Sequence, residues 1–279
     1  KQVLTAVFDQ TLLPLEIVIS DSSSNDEIQE FVKTLSSEIN ISYIRAGRAY
    51  KFDKLLFKIE NSHNNFYNYM PIYKSYSPNS STSIKVWKIS ESYHELLFSI
   101  DLSKKTIEKL DKVQSDVKKC EILSVRHLLK EFKISDNDLF YDKNGKPLLS
   151  NNKNISISHS KLFSAVIISD FNISIDIEKV SDKLAKVSNK FIDYEYSFLG
   201  DLDQEKERLT IIWCIKECIY KVSEQKLPYI FKNKCIVTPF DLNDSSVISW
   251  LKFNKLILSF KSYFHSFDGY KLVFLVQNK

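Results

Sequence analysis

The chain has 279 residues, an apolar fraction of 43% and a formal net charge of +4, from 39 Lys+Arg against 35 Asp+Glu. Its 4 glycines, Gly47, Gly145, Gly200 and Gly269, all stand alone, where average usage would supply roughly 20. That excludes the Gly-rich phosphate cradles of nucleotide-binding loops and any collagen-like or Gly/Ser linker protein, so phosphates must be gripped by side chains and metal.

No apolar run reaches the ~18 residues of a bilayer span, so no membrane association is expected. Lys1-Gln2 is not followed by an apolar leader segment, and the missing initiator Met points to a partial chain. The cysteines, Cys120, Cys214, Cys218 and Cys235, lack metal-ligand spacing. Cys214 and Cys218 lie four apart on an expected helix and read as small core residues. A reducing, cytoplasmic setting follows as the expectation.

Leu15-Glu-Ile-Val-Ile19 reads as a strand, Asp26 as the N-cap of a helix to about Ser37, and Ile41-Ser-Tyr-Ile44 as a second strand. Residues 60–69 are Asn-rich and read as a linker. Ile84–Ile89 alternates as a half-buried strand does. Ser103 caps a helix over Lys104–Val113, and Val117–Phe132 gives another, with Ile122, Val125, Leu128, Leu129 and Phe132 on one face. Residues 140–149 form a hairpin whose Asn144-Gly145 suits a type I′ turn. Strands are predicted at Asn154–Ile157, Phe163–Ser169 and Ile173–Ile177. Helices follow near Asp182–Ile192 and Gln204–Ser223. Strands close the chain near Val247–Leu251, Leu256–Tyr263 and Tyr270–Val276. The order predicts an α/β segment followed by an α+β domain.

Three segments carry chemistry. In Ile173-Ser-Ile-Asp-Ile-Glu178, strand alternation puts Asp176 and Glu178 on one face. Adjacent carboxylates repel unless a cation lies between them, and hard oxygen ligands suit Mg²⁺. Plain alternation, with the isoleucines inside, explains the pattern equally. In Trp213-Cys-Ile-Lys-Glu-Cys-Ile-Tyr-Lys221, Trp213, Lys216, Glu217, Tyr220 and Lys221 share one side of a helix. Glu217 and Lys221 form a favourable i,i+4 pair, which a solvated face would also show. In Ile155-Ser-Ile-Ser-His-Ser160, a histidine between two hydroxyls after a strand is a fair phosphate site, or an ordinary exposed histidine.

Their order and spacing together resemble the 4′-phosphopantetheinyl transferase superfamily over residues 70–279, in the long single-chain type that serves peptide synthetases. Gly145-Lys146-Pro147, Arg126 in Val125-Arg-His-Leu-Leu129, and Phe191 with Glu195 are further matches, and Met70-Pro-Ile-Tyr-Lys resembles a native start. The resemblance implies a pseudo-dimer of two similar α+β halves, about 82–160 and 161–279, with the site between them. It implies transfer of phosphopantetheine from coenzyme A to a serine of an apo acyl or peptidyl carrier protein, with release of 3′,5′-ADP. It implies Asp176, Glu178 and Glu217 as Mg²⁺ ligands, His159 and Lys221 on the pyrophosphate, and Arg126, Lys146 and Ser158 on the nucleotide or its phosphates. The serine proton would pass to Glu217, a bound water or Lys216. A monomer with no nucleic-acid partner is expected. Ser174 stands where the family usually has Gly.

Residues 1–69 resemble part of a family 2 glycosyltransferase, through Ala6-Val-Phe-Asp-Gln-Thr11 and Pro14–Ser24. That resemblance implies Asp21 near a nucleotide. The family's first strand and its Asp-x-Asp motif are absent, so a truncated remnant is expected. A non-catalytic coenzyme A or carrier-binding module and a glycosyltransferase fragment remain alternative readings of the sequence.

Overall fold

The computed structural model describes residues 16–21, 40–45, 56–59, 72–98, 100–223, 231–253 and 256–277. The chain divides into two compact units, Lys1–Met70 and Pro71–Lys279. In the first, β1 (Glu16–Asp21) lies between a parallel β2 (Asn40–Arg45) and an antiparallel β3 (Leu56–Ile59). The helix expected over 26–37 and the linker over 60–69 lie outside the described residues, as does most of the glycosyltransferase-like stretch.

The second unit is α+β and built on antiparallel sheets. One has the order β4 (Lys74–Asn79), β5 (Thr82–Lys88), β9 (Phe163–Ser169), β8 (Asn154–Ser160). The other has the order β10 (Asn172–Lys179), β14 (Tyr270–Gln277), β13 (Leu256–Phe267), β12 (Ser246–Phe253), β11 (Cys235–Val237). A small ribbon pairs β6 (Leu139–Tyr141) with β7 (Pro147–Leu149). Helices α1 (Tyr93–Phe98), α2 (Lys104–Asp111) and α3 (Asp116–Glu131) precede that ribbon. Helices α4 (Asp182–Val187), α5 (Leu202–Val222) and α6 (Phe231–Lys234) lie between β10 and β11.

Local signals explain most of these limits. Ser103 accepts from the Thr106 N–H at 3.3 Å and Ser115 from the Lys118 N–H at 3.4 Å, so α2 and α3 each begin at a serine cap. The ribbon turn is not type I′, because Asn144 has no positive φ. Asp142 instead closes a three-residue loop: its Oδ1 accepts from the N–H groups of Asn144 (2.8 Å) and Lys146 (2.9 Å), and Gly145 takes the left-handed position at φ 82°. Strand β11 and helix α1 are too short to have shown a period in the sequence, and β4 (KSYSPN) carries no apolar alternation.

Two cores result. Helix α5 packs on the second sheet through Ile211, Ile212, Cys214, Ile215, Cys218 and Ile219, against Phe260, Val273 and Leu275. Between the sheets, Ile173, Ile175 and Ile177 of β10 join Ile84, Val86, Phe163 and Ala165 of the first sheet. The isoleucine face of β10 is thus inside, and its acidic face turns elsewhere. Because β9 pairs with both β5 and β8, the sheets part at Asp170–Phe171 and not at residue 160 as expected.

Candidate functional site

The site lies along the seam where β8 runs beside β10. No backbone ladder joins these strands; serine hydroxyls of β8 do. Ser156 Oγ accepts from the Ile175 N–H and Ser158 Oγ from the Ile177 N–H, each at 3.2 Å. Ser158 donates its own proton to Asp176 Oδ1 (2.8 Å), and Ser160 donates to Glu178 Oε2 (3.0 Å). Strand β8 reaches Ser160, so His159 lies on the strand rather than after it. Alternation then sends Ser156, Ser158 and Ser160 toward β10 and His159 the other way. His159 is exposed, and its Nδ1 is 3.2 Å from Glu121 Oε2 of α3, which also accepts from Lys118 Nζ at 2.7 Å.

Helix α5 supplies the other wall. Lys221 Nζ donates to Ile175 O (2.8 Å) and to Asp176 Oδ1 (2.9 Å). Asp176 Oδ1 thus takes two donors, while Oδ2 is buried with no hydrogen-bond partner. Beside it the Cys214 thiol is pushed well up by burial and then by the Asp176 charge, so it stays protonated. Glu178 is raised by burial and by Asp176. Glu217 is pushed up from 4.5 to about 7 by burial, then by Asp176, with Lys221 opposing. Burial pulls Lys221 down, but the Asp176 carboxylate prevails and its ammonium titrates above its ordinary value. His159 is lowered by desolvation, against the pull of Glu121.

Three clustered carboxylates, of which Glu178 and Glu217 are raised by burial and then by the Asp176 charge, and one of which has a buried unpartnered oxygen, are a donor set short of positive charge. Among the described residues no three His, Cys, Asp or Glu side chains stand at the spacing of a formed metal centre. The chemistry nevertheless fits a hard divalent cation, which takes carboxylate oxygens and suppresses the repulsion that lifts Glu178 and Glu217.

The remaining expected residues fall elsewhere. Lys216 does not share the open side of α5. It is 0% exposed, and its Nζ pairs with Glu195 Oε1 (2.7 Å) and donates to Phe191 O (2.6 Å). In this position, away from the seam and not on the side of α5 that Glu217 takes, as expected of it, it anchors the 191–195 segment to the helix. Arg126 is also buried, with Nε on Asp136 Oδ1 (2.8 Å) and Nη2 on Thr106 Oγ1 (3.2 Å). It faces α2 and not the seam, because it lies about 140° around α3 from Glu121. Lys146 is half-buried on the ribbon loop, and the bonds it makes there are backbone ones, its N–H donating to Asp142 Oδ1 and its carbonyl accepting from the Asp142 N–H. Ser160, Glu121 and Lys118 were missed. The Ser156-x-Ser158-x-Ser160 alternation could have revealed Ser160, whereas Glu121 and Lys118 become visible only once α3 is placed. All four cysteines are free and buried, as expected of core residues. Ser174 is absent from the positive-φ residues, so a side chain there is unstrained.

Residues 172–273 match the family model of the 4′-phosphopantetheinyl transferase superfamily. This stretch, which holds Asp176, Glu178, Glu217 and Lys221, is similar to that superfamily. A 4′-phosphopantetheinyl transferase, gsp, of Aneurinibacillus migulanus is 29% identical over 106 residues, covering 36% of this chain and 45% of that protein. The chain thus spans less than half the length of that relative. The family match lies within the Pro71–Lys279 unit and gives no support to the glycosyltransferase resemblance of residues 1–69. No helix among the described residues is long and apolar enough to cross a membrane.

Proposed function

We propose that this chain transfers 4′-phosphopantetheine from coenzyme A to a serine of an apo acyl or peptidyl carrier protein, with Mg²⁺, releasing 3′,5′-ADP, as a monomeric cytoplasmic holo-carrier-protein synthase. The observation that carries this reading is the acidic cluster at the seam. Asp176 Oδ2 is buried without a partner, and Glu178 and Glu217 are lifted by burial and then by the Asp176 charge, all inside the stretch that matches the family.

Phosphoryl-group transfer needs positioning and charge neutralisation more than covalent help. Asp176, Glu178 and Glu217 would hold Mg²⁺, which when bound neutralises charge gathering on the pyrophosphate. Lys221 is fixed by Ile175 O and Asp176, and it offers a cation beside that position. His159, exposed on β8, would donate to a phosphate oxygen. With Lys216 buried, Glu217 is the α5 side chain left to accept the serine proton. Lys146 is exposed enough to meet the nucleotide only from the ribbon loop. The two sheets, each carrying one long helix, α3 or α5, support the reading of a pseudo-dimer with its site at the join. The unit Lys1–Met70 is read as a segment with no part in this reaction.

The test is the intact mass of an apo carrier protein incubated with this chain, coenzyme A and Mg²⁺. A gain of one phosphopantetheine is expected. Retention of coenzyme A or carrier without any mass gain would replace the transferase by a binding module.

A further inference from the structure

Three serines alternate along β8, and each makes a different set of bonds across the seam. Ser156 accepts a backbone N–H of β10 and touches no carboxylate. Ser158 accepts the next such N–H and donates to Asp176 Oδ1. Ser160 donates to Glu178 Oε2. The Ser158 bonds are directional. A hydroxyl has one proton, and accepting the Ile177 N–H leaves that proton for Asp176. Together with Lys221 it occupies Oδ1 and leaves Oδ2 as the free, buried acceptor. Ser160 engages one oxygen of Glu178, Oε2.

We infer that Ser158 and Ser160 are positioning residues, which fix the carboxylates of Asp176 and Glu178 so that their unbonded oxygens meet a divalent cation. For Ser158 this replaces the phosphate contact that the family resemblance implies. The inference rests on the transferase reading for the identity of the cation's task, but not for the cation's binding.

Ser156 is the built-in control, because it shares the structural bond of Ser158 and lacks the carboxylate bond. Mn²⁺, a hard cation with similar ligand preferences, is titrated calorimetrically into the full chain and its Ser→Ala variants, and each variant is melted without metal. Groups that hydrogen-bond and orient metal ligands typically contribute about 10–100-fold in affinity, so Ser158→Ala is expected to weaken Mn²⁺ at least ~10-fold and Ser160→Ala by a smaller factor. Ser156→Ala is expected to keep Mn²⁺ affinity while losing about as much melting temperature as Ser158→Ala. Ser160→Ala, with no backbone partner, should melt like the parent. Should Ser158→Ala fail to fold, Ser158→Thr and Ser160→Ala decide: Thr keeps the hydroxyl and should keep the affinity. Equal Mn²⁺ affinity in the parent and Ser160→Ala, equal losses of Mn²⁺ affinity in Ser156→Ala and Ser158→Ala, or no Mn²⁺ binding by the parent would each overturn the inference. Failure of the transferase reading shows separately, as an unmodified carrier despite normal Mn²⁺ binding.

Discussion

Helix α5 contributes lysines to two ionic groups that the sequence presents alike and the fold treats oppositely. Lys216 meets a carboxylate with every acceptor used. Glu195 Oε1 also accepts from Val237 N (3.1 Å), and Oε2 accepts from Asp193 N (3.1 Å). The Arg126–Asp136 pair in the first half has the same character, with Ser103 and Thr106 filling the remaining lone pairs of Asp136. Lys221 instead joins three carboxylates that it cannot neutralise, one with a buried oxygen left over. Closed pairs hold the chain together, whereas the open one is arranged for something that arrives later. Buried ion pairs are costly to break and give little net stability over an apolar replacement. An electrostatically incomplete buried cluster is the physical mark of a candidate functional site.

The largest effect should come from opening a closed pair. Glu195→Ala strands the fully buried Lys216 charge and should cost about 3–5 kcal/mol of stability, measured by urea unfolding. A loss below ~1 kcal/mol would erase the distinction. Asp176→Asn, in the open cluster, should do the reverse. Its amide oxygen can still accept from Ser158 and Lys221, so thermal melting should move little. Transfer should fall by about 100-fold or more, the scale for removing one electrostatic partner of a reaction.

Protons separate the regions further. Glu217 titrates at about 7 in the folded chain against 4.5 ordinarily, so between those values the folded state binds more protons. Metal-free stability should therefore fall as pH rises from about 4.5 to 7 on its account, and Glu217→Gln should remove that slope. His127, stacked on Trp87 with Nε2 2.8 Å from Leu96 O, is lowered by burial. It binds fewer protons folded than unfolded, so its contribution is present above pH 6.5 and lost as pH drops below it. Melting curves from pH 5 to 8 distinguish the two groups, and slopes of one common sign would contradict them. The smallest effect belongs to Ser174→Gly. Its Oγ is buried without a partner, which offsets the ~0.5–1 kcal/mol cost of Gly in a strand, so stability should shift by less than ~1 kcal/mol with transfer unchanged.

Much of this was legible in the residues. Alternation placed Asp176 and Glu178 together, and a 3.6-residue period placed Glu217 and Lys221 together. The Lys216 error has a physical source: α5 is buried around nearly its whole circumference, so a single polar face was the wrong template. A lysine four or five residues from another differs from it only by what the fold puts opposite, here Glu195 from a distant 3₁₀ turn. The pairing of Arg126 was equally hidden, since Asp136 becomes a partner only after α3 ends and the chain turns back. The halves about 82–160 and 161–279 came from the family resemblance alone, and only the pairing of β9 with β5 and β8 shows that β9 completes the first sheet.

The most direct measurement is the initial rate of carrier modification by the parent chain and by Asp176→Asn, each with Mg²⁺ titrated from zero, alongside the melting curve of each. Modification by the parent that rises with Mg²⁺, and its loss in a variant that melts like the parent, is the expected result. Modification of the carrier by a folded Asp176→Asn at the parent's rate would contradict the assignment of the seam as the site of transfer.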